Sequence, residues 1–191
     1  MNICFFGASS SCLDSVSTDT AYELGQLMAK SGHTLVYGAG CEGLMGAIAR
    51  GMSDNSGRII GISPEFFKGH GVLYDRCTEM YFTNDMRQRK GMMERMSEAV
   101  IMMPGSIGTY EEFFEILTLK QLGRINKPIV ALNVNGYFDP LEAMLRHAVD
   151  ERFLKPESMS IYKTVDTPAE ALEYIETYSD DPGVTAWYKD K

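Results

Sequence analysis

The stretch Pro104-Gly-Ser-Ile-Gly-Thr-Tyr-Glu-Glu112 joins an apolar run, Ala99 to Met103, to an amphipathic run that begins near Thr109. The pattern is a buried strand, a turn and a helix. Two glycines let the turn bring the backbone N–H groups of Gly105, Ser106, Ile107, Gly108 and Thr109 up to a ligand. The unpaired N–H groups and positive dipole end of the following helix suit a phosphate. That same end carries Glu111 and Glu112, either as ordinary dipole partners or as acids aimed at what the turn holds. A second stretch, Asp85-Met-Arg-Gln-Arg-Lys90, crowds Arg87, Arg89 and Lys90 into the first turns of a helix, where the dipole disfavours them. Such a cluster is either a solvated charged face or a partner for an anion.

Two further turns have ligand-holding composition. Gly38-Ala-Gly-Cys-Glu-Gly43 matches G-x-G-x-x-G between a strand and a helix. It follows the second strand, and the next strand, Arg58–Ile62, ends in Ser63-Pro64-Glu65, where the acidic residue comes too late and after a proline for a dinucleotide site. It therefore reads as a glycine-rich ligand-facing loop rather than an NAD site. Gly7-Ala-Ser-Ser-Ser11 follows the first strand and can hold a ribose or phosphate, or be a simple strand-to-helix turn.

The elements that must position these turns alternate strand and helix along the whole chain. Strands are expected at Asn2–Phe6, Leu35–Tyr37, Arg58–Ile62, Glu79–Phe82, Ala99–Met103, Pro128–Leu132 and Ile161–Val165. The first helix is capped by Ser17 or Thr18, with Ala21, Leu24, Leu27 and Met28 inward and Gly32 as its stop. Met86, Met93 and Met96 lie at core spacing in the helix after Asp85. Asp139 and Pro140 start a helix as cap and first residue, with Leu141, Met144, Leu145 and Ala148 inward. Thr167-Pro168 starts the last helix. Phe66 and Phe67, in the loop Glu65–Cys77, either cover a flat ring or pack down on the domain, and packing is the favoured reading. Trp187 and Tyr188 would pin a polar tail. The expected architecture is α/β: a single Rossmann-like domain over residues 1–191, doubly wound, with a mainly parallel sheet of about seven strands and helices on both faces. Ligands of such sheets sit beyond the strands' carboxyl ends, which would gather all four turns on one rim.

Composition narrows the function. The net charge of −8 argues against a nucleic-acid binder, and no apolar run approaches the about 18 residues of a membrane span. The N-terminus becomes a strand at once, so no signal peptide and a cytoplasmic location are expected. The four cysteines, Cys4, Cys12, Cys41 and Cys77, lack ligand spacing and read as reduced thiols; the three histidines form no metal cluster. Most of the thirteen methionines read as fillers of core or interface gaps.

The pair of stretches at Asp85–Lys90 and Pro104–Glu112 resembles the signature of the Lonely Guy family, Met-x-x-Arg-Lys followed by Pro-Gly-Gly-x-Gly-Thr-x-x-Glu. The likeness extends to Tyr37-Gly-Ala-Gly-Cys-Glu-Gly-Leu-Met-Gly46, Gln121–Pro128 and Asn133-Val-Asn-Gly-Tyr137. Ser106 replaces the second glycine of the signature, Ala39 interrupts the earlier glycines, and the segment Pro64–Thr83 is longer than usual. The resemblance implies hydrolysis of the N-glycosidic bond of a nucleoside 5′-monophosphate, AMP or an N6-modified AMP such as a cytokinin riboside monophosphate, to free base and ribose 5-phosphate. It implies Arg89 and Glu112 as catalytic. It implies Ser9, Gly40, Met86, Lys90, Gly105, Ser106, Ile107, Gly108, Thr109 and Glu111 as substrate-binding, with Glu111 on ribose hydroxyls and Lys90 beside the phosphate. No metal or other cofactor is implied, and the partners are the nucleotide and a second copy in a homodimer, with the helix Met86–Met96 as a contact. The alternative is a non-catalytic nucleotide or molybdenum-cofactor binding protein of the same fold.

Overall fold

The computed structural model describes residues 1–179; Trp187 and Tyr188 lie outside the described residues. Seven strands form one sheet: β1 (Asn2–Phe6), β2 (Thr34–Tyr37), β3 (Arg58–Pro64), β4 (Glu79–Thr83), β5 (Ala99–Met102), β6 (Ile129–Leu132) and β7 (Lys163–Val165). Their order is β4-β3-β2-β1-β5-β6-β7, and every pairing is parallel. The sheet is thus wholly, not mainly, parallel.

Side-chain alternation along β1 shows how the layers form. Ile3 and Phe5 enter one apolar cluster with residues of α1 (Ser15–Lys30), α2 (Gly43–Asp54) and α6 (Pro168–Thr177). Cys4 and Phe6 enter the other, with residues of α3 (Met86–Met96), α4 (Ile107–Gln121) and α5 (Asp139–Asp150). Strands covered on both faces read as continuous apolar runs, as Ala99–Met102 and Ile129–Leu132 do. Helices α1 and α2 cross closely at two glycines: a Cβ at Gly25 would lie 2.3 Å from the Ile48 carbonyl oxygen, and one at Gly51 2.1 Å from that of Tyr22.

The chain leaves β1 toward α1 on one face and leaves β5, its neighbour, toward α4 on the other. A crevice opens at such a reversal. Its two lips touch through the Ala8 N–H, which donates to the Pro104 carbonyl at 3.0 Å.

Several helix starts differ from expectation. Asp14, not Ser17 or Thr18, caps α1, its carboxylate accepting from the Ser17 N–H at 2.8 Å. α4 begins at Ile107 with Ser106 as cap, two residues earlier than its apolar periodicity suggests, so Glu111 and Glu112 fall in its second turn. Phe138 caps α5, whose first residue is Asp139, and Met144 is exposed rather than inward. Met93 is fully buried in α3, but Met86 is 39% exposed. Phe66 and Phe67 are also exposed, on a 3-10 turn, Glu65–Phe67.

Candidate active site

Arg89 and Glu112 meet at the carboxyl ends of the strands. Asp85 caps α3 by accepting from the Gln88 N–H, and Arg89 one turn along points back over the sheet. Its Nε donates to the Ile62 carbonyl at 3.3 Å, and its Nη1 lies 3.1 Å from Glu112 Oε1. Only 11% of the Arg89 side chain and 12% of the Glu112 side chain are exposed. A charge pair so far out of water is costly to break, because either partner alone is left desolvated. Gly38 makes room for it: a Cβ there would sit 1.9 Å from Arg89 Nη2. Burial pushes the Glu112 carboxyl above its usual value; the Arg89 guanidinium pulls it back, and Glu111 adds to the rise.

A cavity of about 360 Å³ adjoins the pair. Ser9, Gly38, Gly40, Met86 and Arg89 line it. Cys41 and Glu42 of the glycine-rich loop line it too, as do Met45, which sequence reasoning did not select, and Phe67, Val72 and Leu73. The last three come from the loop after β3, which folds back beside the Gly38–Cys41 turn. Cys41 N–H donates to the Val72 carbonyl at 3.0 Å, Tyr74 N–H to the Ala39 carbonyl at 2.8 Å, and Gly40 and Leu73 form an antiparallel bridge. The sequence signs of this wall were the adjacent aromatics Phe66 and Phe67 and the apolar content of a segment otherwise rich in glycine and charge. Glu112 does not line this cavity. It lines a neighbouring crevice of about 40 Å³ with Phe6, Lys90 and Glu115. Arg89 therefore connects the cavity to the acid.

The start of α4 supplies the anion-holding geometry. The backbone N–H groups of Ser106, Ile107, Gly108 and Thr109 have no acceptor among the described residues. The first helical turn therefore keeps its donors for a ligand. The Thr109 hydroxyl is likewise without a hydrogen-bond partner among the described residues. Gly105 is required beneath it, since a Cβ there would lie 2.1 Å from Thr109 Oγ1. The Ser106 side chain makes no capping bond and stays exposed, as does Ile107. Lys90 faces carboxylates of α4: it pairs with Glu111, and with Glu115 at 2.8 Å. Burial works against its charge, but the two acids outweigh this and raise its pKa.

A larger open groove of about 540 Å³ between α5 and β7 holds none of these residues. Its central acid, Glu142, already accepts from the Tyr162 and Thr164 hydroxyls at 2.6 Å each.

A protein family described as "Possible lysine decarboxylase" matches residues 45–175. A cytokinin riboside 5′-monophosphate phosphoribohydrolase of Rhodococcoides fascians is 41% identical over 72% of this chain and 70% of its own length. The chain belongs to the Lonely Guy family. Other relatives in the family match nearly the whole of this chain. A probable enzyme of the same name from Oryza sativa subsp. japonica is 36% identical over 93% of this chain and 72% of its own. One from Arabidopsis thaliana is 36% identical over 93% and 82%. Among solved structures, a molybdenum cofactor carrier protein of Chlamydomonas reinhardtii superposes with a TM-score of 0.71 at 19% identity, covering 92% of this chain and 95% of that one. The molybdenum cofactor binding protein of Rippkaea orientalis gives 0.69 at 21%, with the same coverage. At such identity the likeness is one of fold alone. Both halves of the Lonely Guy signature are thus brought to one end of this sheet.

Proposed function

We propose that the protein hydrolyses the N-glycosidic bond of a nucleoside 5′-monophosphate, releasing free base and ribose 5-phosphate. The observation that carries this reading is the buried Arg89–Glu112 pair standing between an apolar cavity and a helix start with four unused N–H donors. The base would occupy the cavity, and the 5′-phosphate would take the N–H groups of 106–109 and the Thr109 hydroxyl. Cleavage makes the sugar cationic, as in glycoside hydrolysis. A fixed carboxylate stabilises that charge and orients the attacking water, and Glu112 is assigned this role. Arg89 is a permanent cation with a forked donor set. It keeps Glu112 ionised against burial and presents its remaining face to substrate oxygens. Glu111, more than half exposed, is assigned the ribose hydroxyls, with Lys90 fixing it in place. Ser9, Gly40 and Met86 contact the nucleoside.

The same reading treats residues 1–191 as one nucleotide-binding domain that works in the cytoplasm as a homodimer without a cofactor. Among the described residues no helix is long and apolar enough to cross a membrane. The relatives' names favour cytokinin riboside monophosphates as substrates; AMP is the simpler member of the class. A product assay across nucleoside 5′-monophosphates, with the unphosphorylated nucleosides as controls, tests the reading. Release of base from monophosphates only is expected. No ribose 5-phosphate from any of them would end it.

A further inference from the structure

The start of α4 has a device that the reading above does not use. The Tyr137 hydroxyl donates to the Gly105 carbonyl at 2.6 Å. In an extended α4 that carbonyl would be the acceptor for the Thr109 N–H, four residues on. Instead the Thr109 N–H is left without an acceptor, and the first in-register bond of the helix is Tyr110 N–H to the Ser106 carbonyl at 3.1 Å. The bond has a second consequence. A trans peptide points its C=O and N–H in opposite directions. Fixing the Gly105 carbonyl on Tyr137 therefore fixes the Ser106 N–H on the opposite side of the same peptide plane.

Tyr137 is itself held by a built turn. Asn135 and Gly136 both have positive φ, 53° and 70°, in the 3-10 turn Val134–Gly136. The Asn133 carbonyl oxygen of the side chain accepts from the Phe138 N–H at 2.7 Å, and its amide donates to Asp139 at 2.9 Å. The Tyr137 ring meets Phe138 edge-on with centroids 5.3 Å apart. On the other side stands Tyr110, whose phenol is pushed up to about 12 by burial and by its hydrogen bond to Tyr137.

We infer that Tyr137 is a positioning residue for phosphate: by holding the Gly105 carbonyl it fixes the Gly105–Ser106 peptide plane and so aims the Ser106 N–H, at the head of the unpaired donors of α4, at the 5′-phosphate. This rests on the reading of that helix start as the phosphate seat. Tyr137 is 44% exposed, so Tyr137→Phe keeps the ring and the fold and removes the hydroxyl with its bonds to Gly105 and Tyr110.

The test titrates inorganic phosphate into wild-type protein and Tyr137→Phe by calorimetry and assays both on a nucleoside 5′-monophosphate. The phosphate Kd and the nucleotide KM are each expected to rise about tenfold in the variant, the size of one lost hydrogen bond. kcat and Tm are expected to stay near wild type, a split that a general loss of structure would not give. Equal phosphate Kd in the two proteins overturns the inference, even where wild type cleaves nucleotide and the hydrolase reading stands. Weaker phosphate binding by the variant, in a protein that cleaves no nucleotide, supports the inference and removes the hydrolase reading. No phosphate binding by wild type overturns the inference as well.

Discussion

Gly38 and Arg89 compete for the same space: a methyl group on residue 38 would lie 1.9 Å from the Arg89 Nη2. The obstacle is the tip of a side chain, not backbone, so Gly38→Ala is expected to fold. It folds, however, by pushing the guanidinium off Glu112 and the Ile62 carbonyl. A displacement of about 1 Å in a catalytic group costs on the order of 100-fold in rate. The expected result is a large fall in kcat/KM with Tm little changed, read by steady-state assay and thermal melt. Retained activity would show that the Arg89 position does not matter.

Glu112→Gln keeps shape and a hydrogen-bond acceptor for Arg89 but removes the negative charge. Binding of the nucleotide is expected to persist while kcat falls by about 100-fold or more. Calorimetric binding beside a base-release assay separates the two. Undiminished release of adenine from AMP would take Glu112 out of the chemistry.

The pH profile follows from the same residue. Glu112 must be ionised to act, and burial holds its pKa above the ordinary 4.5. As pH falls, it therefore protonates sooner than a free glutamate, and kcat/KM should decline on an acid limb above 4.5. The guanidinium lowers this pKa, so Arg89→Gln should move the limb of its residual activity to higher pH. A limb at the ordinary glutamate position in wild type would contradict the burial argument.

Phe67 lines the cavity while remaining 39% exposed, and it belongs to neither the catalytic pair nor the helix start. Phe67→Ala should raise KM for nucleoside monophosphates about tenfold, in keeping with one lost aromatic contact, and leave kcat near wild type. The ranking of AMP against N6-substituted AMP should change with it. An unaltered ranking across a substrate panel would place the base elsewhere.

The legibility of this molecule in its sequence was uneven for physical reasons. Continuous apolar runs such as Ala99–Met102 mark the inner strands, buried on both faces; the edge strands β4 and β7, only partly buried, were read from shorter apolar and β-branched runs. Helix starts were harder, because a cap is a matter of one hydrogen bond. Asp14 stood unread since Ser17 and Thr18 offered equally good hydroxyls, and Ile107 looked like turn because its side chain projects into solvent, 86% exposed. Arg89 and Glu112 were found by motif, and their 3.1 Å approach came from two helices that start after β4 and β5. Of the wall, Phe67 was readable as a cover for a flat ring, although packing was favoured, while Val72 and Leu73 were not legible. Their place depends on backbone bonds from residues 72 and 74 to the Gly38–Cys41 turn, across more than thirty positions and without a side-chain signature. Exposed Met86 was misjudged for a related reason: helical spacing shows which side a residue occupies, not whether a void waits there.

The bridge from Gly40 to Leu73 is made by main-chain atoms alone. Side chains along that strip can be exchanged without cutting the tether that holds it. The machinery for breaking a bond and the surface that inspects the leaving group therefore answer to different parts of the chain, and drift in one need not disturb the other.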